Sequence, residues 1–282
     1  MTSPSVDLNA LIRGLRGLGL NDPVIAHASL SAFGEISGGA QTLVKSLVTL
    51  FPGVIMPAFT YRTMVTPTAG PAGNGITYGG GEDQNKMAEF YSANMPADRL
   101  MGIVPESLRH HLFAKRSLHP ILSFTGIRAE TVLATQTMDD PLAPVGALTK
   151  KGGWVLLLGV NHTVNTSIHF AEKLARRRQF TRWALTPQGV RECPGFPGCS
   201  AGFDAINAHL DSQVRRIQIG SATIQAMPLM ILLRAVIELI KNDPLALLCQ
   251  EEECERCNAV REDVTVRLQP GNRPNGEAVT GT

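Results

Sequence analysis

The stretch WVLLLGVNHTVNTSIHFAEKL, residues 154–174, constrains the fold more than any other part of this chain. Its first five residues are continuously apolar and end at Gly159, which is typical of a strand buried on both faces of a sheet. Short polar residues follow, and then a helical pattern begins, which the side chain of Asn165 or of Thr166 can cap. A buried strand, a loop and a helix in this order predict an α/β fold.

The predicted helix places an imidazole and a carboxylate on one face. His169 and Glu172 are three residues apart, so their side chains point in the same direction. Just beyond a buried strand, such a pair suits general-base catalysis, because the carboxylate can fix the tautomer of the ring and stabilise its charged form. The spacing alone leaves an ion pair on the helix surface as the alternative.

A second strand and turn come earlier in the chain. Residues 24–27 predict a short strand, and Ser29 and Ser31 follow it directly. Gly38 and Gly39 then lead into a predicted helix. Free backbone amides at the start of such a helix attract a phosphate or a developing oxyanion. The turn has neither the P-loop lysine nor the dinucleotide-binding glycine pattern, so glycines that only turn the chain are the alternative.

Other polar residues also lie near predicted strand ends. Thr60 follows the strand at residues 54–56, and residues 62–81 lack periodicity, which predicts a functional lid or a mobile loop. Arg116 and Ser117 precede a turn fixed by proline, where they could bind a phosphate; an exposed arginine without a ligand is the alternative.

Composition and charge limit the classes of protein that the chain can belong to. The hydrophobic content of 44% and charged content of 18% are those of a globular protein. We expect one domain over residues 1–267 and a disordered tail over residues 268–282. The chain shows no export signal and no apolar run long enough to cross a membrane, so the cytoplasm is the expected location.

A basic cluster near the end of the central helix does not indicate nucleic-acid binding. The net charge is only +2, and no aromatic platform accompanies Lys173, Arg176, Arg177 and Arg178. We interpret the cluster as the solvated end of a helix or as local attraction for an anion.

The five cysteines raise the question of a metal. Cys254 and Cys257 have the Cys-x-x-Cys spacing of metal ligands, and Cys193 or Cys199 could complete a four-sulfur zinc site. The other spacings are irregular and no histidine lies nearby. Ordinary reduced thiols are therefore favoured, and zinc is kept as the less favoured alternative.

Four collinear segments together resemble the antibiotic N-acetyltransferase family, best known for its aminoglycoside 3-N-acetyltransferases. They are HASLSAFGEISGGAQTLVKSL, GVIMPAFTY, RSLHPILSFTGIRA and LLLGVNHTVNTSIHFAEKLARRR. The resemblance implies a single compact α/β domain with a mixed sheet flanked by helices, unlike the GNAT acetyltransferase fold. It also implies transfer of an acetyl group from acetyl-CoA to an amine, namely the 3-amino group of an aminoglycoside, and hence antibiotic resistance.

The resemblance implies roles for individual residues. His169 would be the general base and Glu172 its acidic partner. The residues implied to bind acetyl-CoA are Ser29, Ser31, Gly38, Gly39, Arg116 and Ser117. Thr60 would border the reaction centre, where Ser31 could donate a hydrogen bond to the thioester oxyanion.

The charge of the chain leaves the acceptor open. Aminoglycosides carry several positive charges, which favour an acidic pocket, whereas residues 62–81 contain no Asp or Glu. A different amine-bearing metabolite is therefore an alternative acceptor. From another class of protein, the alternative is a relative that binds CoA or an antibiotic without catalysis. The expected partners are small molecules, with neither nucleic acid nor membrane.

Overall fold

The computed structural model describes residues 5–268, so nearly all of the expected tail lies outside the described residues. Within them, the strands are β1 Val24–Ala28, β2 Val54–Pro57, β3 Met64–Val65, β4 Lys115–Arg116, β5 Phe124–Ile127, β6 Trp154–Leu158, β7 Phe180–Thr186, β8 Gly189–Phe196, β9 Arg215–Ile219 and β10 Ala222–Pro228. The helices are α1 Leu8–Arg16, α2 Gly39–Leu50, α3 Glu82–Lys86, α4 Ile103–Arg109, α5 Glu130–Leu133, α6 Ala143–Lys150, α7 Thr166–Leu174, α8 Asn207–Leu210, α9 Leu229–Asn242 and α10 Glu255–Leu268. None of these helices combines the length and the apolar character needed to cross a bilayer.

The main sheet has seven strands in the order β4-β5-β2-β1-β6-β10-β9. β1 lies at its centre and pairs in parallel with both β2 and β6, with Val24 opposite Val54 on one side and Trp154 on the other. The remaining strand pairs are antiparallel. The predicted single α/β domain with a mixed sheet is therefore confirmed.

Side chains on the two faces of the main sheet enter two different cores. Along β1, Ile25 packs into one core while Val24 and Ala26 pack into the other, and all three side chains are fully buried. This alternation follows from the two-residue period of a strand. Helices α1, α2 and α4 contribute to the core on one face, whereas α6, α7 and α9 contribute to the core on the other. Burial on both faces explains why the parallel strands have continuous apolar sequences.

A second, antiparallel sheet has the order β3-β7-β8. Its strand β7 alternates buried and partly buried residues, as the sequence predicts. The sequence patterns predict neither β8 nor α10, because β8 contains Pro194 and Gly195 and α10 is mostly polar. Pairing with β7, rather than local propensity, defines β8 as a strand.

The expected lid at residues 62–81 is held against the second sheet. The side chain of Asn74 is buried, donates to the carbonyl of Thr181 at 2.9 Å and accepts from the amide of Thr181 at 2.8 Å. The Asn74 side chain thereby pairs with the backbone of β7 at Thr181. At Asn74 the segment is held against the second sheet by these two hydrogen bonds.

His119 is a buried histidine that maintains the turn before β5. Its Nδ1 accepts hydrogen bonds from the amides of Ile121 at 3.1 Å and Leu122 at 2.9 Å. Its Nε2 has no hydrogen-bond partner among the described residues. Burial lowers the pKa of His119 from 6.5 to about 4, because a charged ring would lose its hydration there.

The depressed pKa of His119 makes the stability of the fold depend on pH. Between about pH 6.5 and pH 4 the unfolded chain binds a proton at this site that the folded chain does not, so the free energy of unfolding decreases as the pH falls. From pH 7 to pH 5 the loss due to His119 should be about 2 kcal/mol. His119→Asn keeps an acceptor for both amides but has no titrating ring. Between pH 7 and pH 5 its free energy of unfolding should therefore decrease by about 2 kcal/mol less than that of the wild type. Urea unfolding at the two pH values measures this, with His209→Asn at an exposed position as the matched control; equal losses in wild type and His119→Asn would contradict it.

Candidate active site

A cavity of about 1470 Å³ opens at the carboxyl ends of the parallel strands. Ser29 and Ser31 follow β1, Phe59 follows β2 and His169 follows β6, and all four residues line the cavity. This edge of the sheet is where α/β proteins bind their ligands. Pockets for a single small molecule usually have about 300–1,000 Å³, so the cavity has room for more than one such molecule.

His169 and Glu172 form a direct hydrogen bond beside this cavity. Nδ1 of His169 lies 2.7 Å from Oε2 of Glu172. Of the two predicted capping residues, Asn165 caps helix α7: its side chain accepts from the amide of Ser167 and thereby fixes where the first turn begins. The His169 side chain is 12% exposed and that of Glu172 only 2%, so the pair is not a surface ion pair. Because Glu172 occupies Nδ1, Nε2 is the ring nitrogen left for a ligand.

Arg177 is a third member of this arrangement that the sequence analysis misinterprets. Its Nη1 donates to Oε1 of Glu172 at 2.8 Å, and the Arg177 side chain is only 3% exposed. Nη2 donates to the carbonyls of Pro244 at 2.9 Å and Ala246 at 2.6 Å. The interpretation of Arg177 as part of a solvated helix end is therefore wrong. A buried carboxylate needs such a counter-charge, since desolvation otherwise makes its ionised form costly.

The end of helix α7 directs Arg177 back toward Glu172. Arg176 adopts a left-handed conformation with φ of 59°. The amide of Arg177 then bonds to the carbonyl of Glu172, and that of Arg176 to the carbonyl of Lys173. These are the two hydrogen bonds of a Schellman motif, which is usually formed with glycine in the left-handed position. Without a glycine, sequence alone gives no sign of this turn.

The loop between β6 and α7 is held by Asp204. Its carboxylate accepts from the amide of His162 at 2.8 Å and from the side chain of Asn161. Phe203, next to it, packs edge-on against the His169 ring with the ring centroids 4.7 Å apart. The segment around residue 204 therefore restrains both the loop and the imidazole. Sequence reasoning missed it because it lies more than thirty residues away from His169 in the chain.

Ser29 and Ser31 lie together at the end of β1. Their hydroxyl oxygens are 3.1 Å apart, so one hydroxyl can donate to the other and still accept from a ligand. Gly39 also lines the cavity, and a side chain there would meet open space. Gly38 has a φ of 78° and initiates α2 without a side-chain cap. A Cβ at Gly38 would lie 2.4 Å from Oγ1 of Thr42, so the turn requires glycine.

Besides Gly38 and Glu172, three predicted site residues do not line the cavity, namely Arg116, Ser117 and Thr60. The guanidinium of Arg116 donates to Oγ of Ser123 at 2.9 Å and to backbone carbonyls, including that of Ala58 at 2.6 Å. The hydroxyl of Ser117 bonds to the backbone of Phe124 within the sheet edge. These contacts support the structure of the sheet edge, and they take up the donors that the sequence analysis assigns to a CoA phosphate.

Thr60 is the third of these residues. Its side chain is fully buried, and its hydroxyl donates to the carbonyl of Pro120 at 2.7 Å. The contact ties the end of β2 to the turn before β5. This position supports the cavity wall from behind and does not favour the predicted contact with the reaction centre.

The charged residues that line the cavity are mainly basic. Arginines dominate, and among the described residues that form the lining the one carboxylate is that of Glu255. Arg99 is exposed at the rim, in the loop that reaches the end of β1. Two acidic residues that follow the segment 62–81, Asp83 and Glu89, do not line the cavity, and Glu89 pairs with Arg62 at 3.2 Å.

Two further histidines are kept neutral next to the cavity. Burial, together with His162, lowers the pKa of His27 to about 3. Burial likewise lowers the pKa of His162 to about 4. His27 lines the cavity, and its Nε2 has no hydrogen-bond partner among the described residues. Both rings therefore remain uncharged at neutral pH.

Comparison with curated proteins shows relatives of one kind. Residues 25–241 match the family model described as aminoglycoside 3-N-acetyltransferase. Aminoglycoside N(3)-acetyltransferase VIII of Streptomyces fradiae is 32% identical over 191 residues, which are 60% of this chain and 59% of that protein. The aminoglycoside N(3')-acetyltransferase-like protein YokD of Bacillus subtilis (strain 168) is 28% identical over 58% of this chain and 63% of its own length. The matches thus span about three fifths of these relatives.

Solved structures share the fold. The apoenzyme of aminoglycoside acetyltransferase AAC(3)-IVa has a TM-score of 0.75 at 22% identity, covering 93% of this chain and 99% of that one. The binary complex of AAC-IIIb with CoASH has a TM-score of 0.68 at 21% identity, covering 85% of this chain and 97% of that one. With a family model that covers most of the chain and a shared fold, this protein belongs to the aminoglycoside 3-N-acetyltransferase family.

Proposed function

We propose that this protein transfers the acetyl group of acetyl-CoA to an amine by general-base catalysis. The observation that carries the proposal is the hydrogen-bonded series from His169 through Glu172 to Arg177, with the histidine at the wall of a cavity large enough for two substrates. A protein that only binds its ligands has no need of a base held in this way. The acetyl donor also implies a cytoplasmic location, where acetyl-CoA is available.

His169, Glu172 and Arg177 have different roles in this mechanism. Nε2 of His169 removes a proton from the acceptor amine as the nitrogen attacks the thioester carbonyl, so that the C–N bond forms and the C–S bond then breaks. Glu172 fixes the ring with its proton on Nδ1 and stabilises the imidazolium that results. Arg177 holds Glu172 and supplies its counter-charge. The proton on Nε2 is then available to the departing CoA thiolate, and no acyl-enzyme is formed.

The CoA half of the cavity lies along β1 and α2. With Ser29 donating to Ser31, the hydroxyl of Ser31 is free to donate to the thioester oxygen as it becomes anionic. The turn at Gly38 and Gly39 leaves room for close approach to the start of α2. A phosphate of CoA binds Arg99 in this proposal, and not Arg116, because the side chain of Arg99 is exposed at the rim of the cavity.

The acceptor is proposed to be an aminoglycoside, on the strength of the family. Neighbours in fold have been solved with a gentamicin, with sisomicin and with apramycin. The second candidate is an amine with fewer positive charges. It is favoured by the cavity lining, in which Glu255 is the one carboxylate among the described residues and already accepts from Oγ1 of Thr77 at 2.5 Å.

A release assay for free CoA thiol tests the proposal. The protein is incubated with acetyl-CoA and a panel that contains aminoglycosides, monoamines and amines with an acidic group. Turnover of aminoglycosides supports the first acceptor, and turnover restricted to other amines selects the second. Tight CoA binding without turnover of any amine would show a binding protein that has kept the fold.

Removing the base should abolish most of the activity. We expect His169→Ala to lower kcat on the order of a hundredfold or more, which is the usual contribution of a general base. CoA affinity should change little, because its proposed contacts lie along β1 and α2. Steady-state kinetics beside CoA titration measures both, with the exposed His209→Ala as control. A near-normal kcat would remove His169 from the mechanism.

Glu172→Gln should reduce kcat less than His169→Ala does, since Glu172 orients the base without touching the reacting proton. The amide can still accept from the ring but carries no charge. The same kinetic measurements apply. A loss larger than that of His169→Ala would assign Glu172 a direct role in proton transfer.

Arg177→Met should destabilise the fold and impair catalysis together. It leaves the carboxylate of Glu172 buried without its cation, which costs about 3–5 kcal/mol for a pair of this kind. The matched control is the neighbouring Arg178→Met. The side chain of Arg178 is 31% exposed, pairs with Asp263 at 3.7 Å and donates to the carbonyl of Ala72 at 2.9 Å, so the loss there should be about 1 kcal/mol. Urea unfolding measures both variants, and equal losses would refute the proposed role of Arg177.

A further inference from the structure

Four of the five cysteines converge at one point outside the proposed catalytic series. The sulfur atoms of Cys199, Cys249, Cys254 and Cys257 all lie within 4.8 Å of one another. They come from three separate parts of the chain: the loop after β8, the segment after α9 and the start of α10. Cys193 is not part of this group; its thiol contacts the carbonyl of Arg191 at 3.6 Å.

The geometry points to a tetrahedral site for a single metal ion. With Zn–S bonds of about 2.3 Å, tetrahedral sulfurs are separated by about 3.8 Å. The Cys249 and Cys257 sulfurs are 3.4 Å apart, and all four thiols are free, so the group is not a pair of disulfides. We propose that these four cysteines bind zinc as a structural site. Zinc is the metal that four thiolates with a closed coordination shell most commonly hold.

The surroundings of the sulfurs resemble a built ligand shell. Cys249 and Cys257 are buried and belong to the hydrophobic core, while Cys199 and Cys254 are partly exposed and leave a path for the ion. The amide of Ala201 points to the sulfur of Cys199 at 3.5 Å, where it can stabilise a thiolate. Arg261 donates to the carbonyl of Cys249 and brings a positive charge near the thiolates.

The position of the site gives the metal a structural role at the cavity wall. Pro197, Gly198 and Ser200, on either side of Cys199, line the large cavity, and so do Glu255 and Arg256 between Cys254 and Cys257. Arg256 also donates to the carbonyl of Gly198 at 3.0 Å. A metal bound behind these residues joins the two parts of the cavity wall that they form. The zinc therefore fixes the wall of the cavity and takes no part in proton transfer.

Metal analysis of the full chain, purified without added metal or chelator, tests the proposal. We expect about one zinc per chain in the wild type. Cys254→Ser should lose most of this zinc, whereas Cys193→Ser, the same change at a buried cysteine outside the group, should keep it. A strong chelator should lower the melting temperature of the wild type and of Cys193→Ser, since binding of a structural ion is coupled to folding.

A second measurement does not depend on the folding of any variant. Wild-type protein freed of zinc and reloaded with Co²⁺ should show the intense charge-transfer and visible bands of tetrahedral cobalt with thiolate ligands. The proposal would be overturned if the wild type contained no metal as purified, had five reactive thiols after unfolding and showed no such bands after addition of Co²⁺. Iron with sulfide in place of zinc would overturn it too, because it would assign the sulfurs to a cluster.

Discussion

The ion pair between Glu172 and Arg177 is the contact on which the proposed chemistry depends. It places two opposite charges in the core at 2.8 Å, each nearly inaccessible to water. Such a pair does little for the net stability of a fold, since the attraction is largely offset by desolvation. Its effect is positional: Glu172 can hold the imidazole of His169 in one tautomer and one orientation only because Arg177 holds Glu172.

Packing around this pair involves distant parts of the chain. Helix α7 supplies His169 and Glu172, a left-handed turn at Arg176 supplies Arg177, and the segment after α9 supplies the carbonyls that Arg177 needs. Phe203 closes over the imidazole from another direction. The site is therefore assembled by tertiary contacts on top of a local strand-loop-helix unit that is readable in the sequence.

This division explains what the sequence could predict. The burial of β6, the cap at Asn165 and the shared face of His169 and Glu172 are local features, and the structure confirms each of them. Whether an arginine lines the cavity or is occupied by carbonyls depends on contacts remote in the chain, so composition could not distinguish Arg116 from Arg99. The same limit applies to the cysteines, because Cys199 lies fifty residues before its partner Cys249.

The family match ends at residue 241, yet several parts of the site lie beyond it. The carbonyls of Pro244 and Ala246, three of the four clustered cysteines and the cavity residues Glu255 and Arg256 all follow that boundary. A fragment cut at the end of the family match would retain the histidine but lack the acceptors that hold Arg177 and one wall of the cavity. The fold shared with the solved apoenzyme covers 93% of this chain, so the region after residue 241 belongs to the same architecture even where the family model stops.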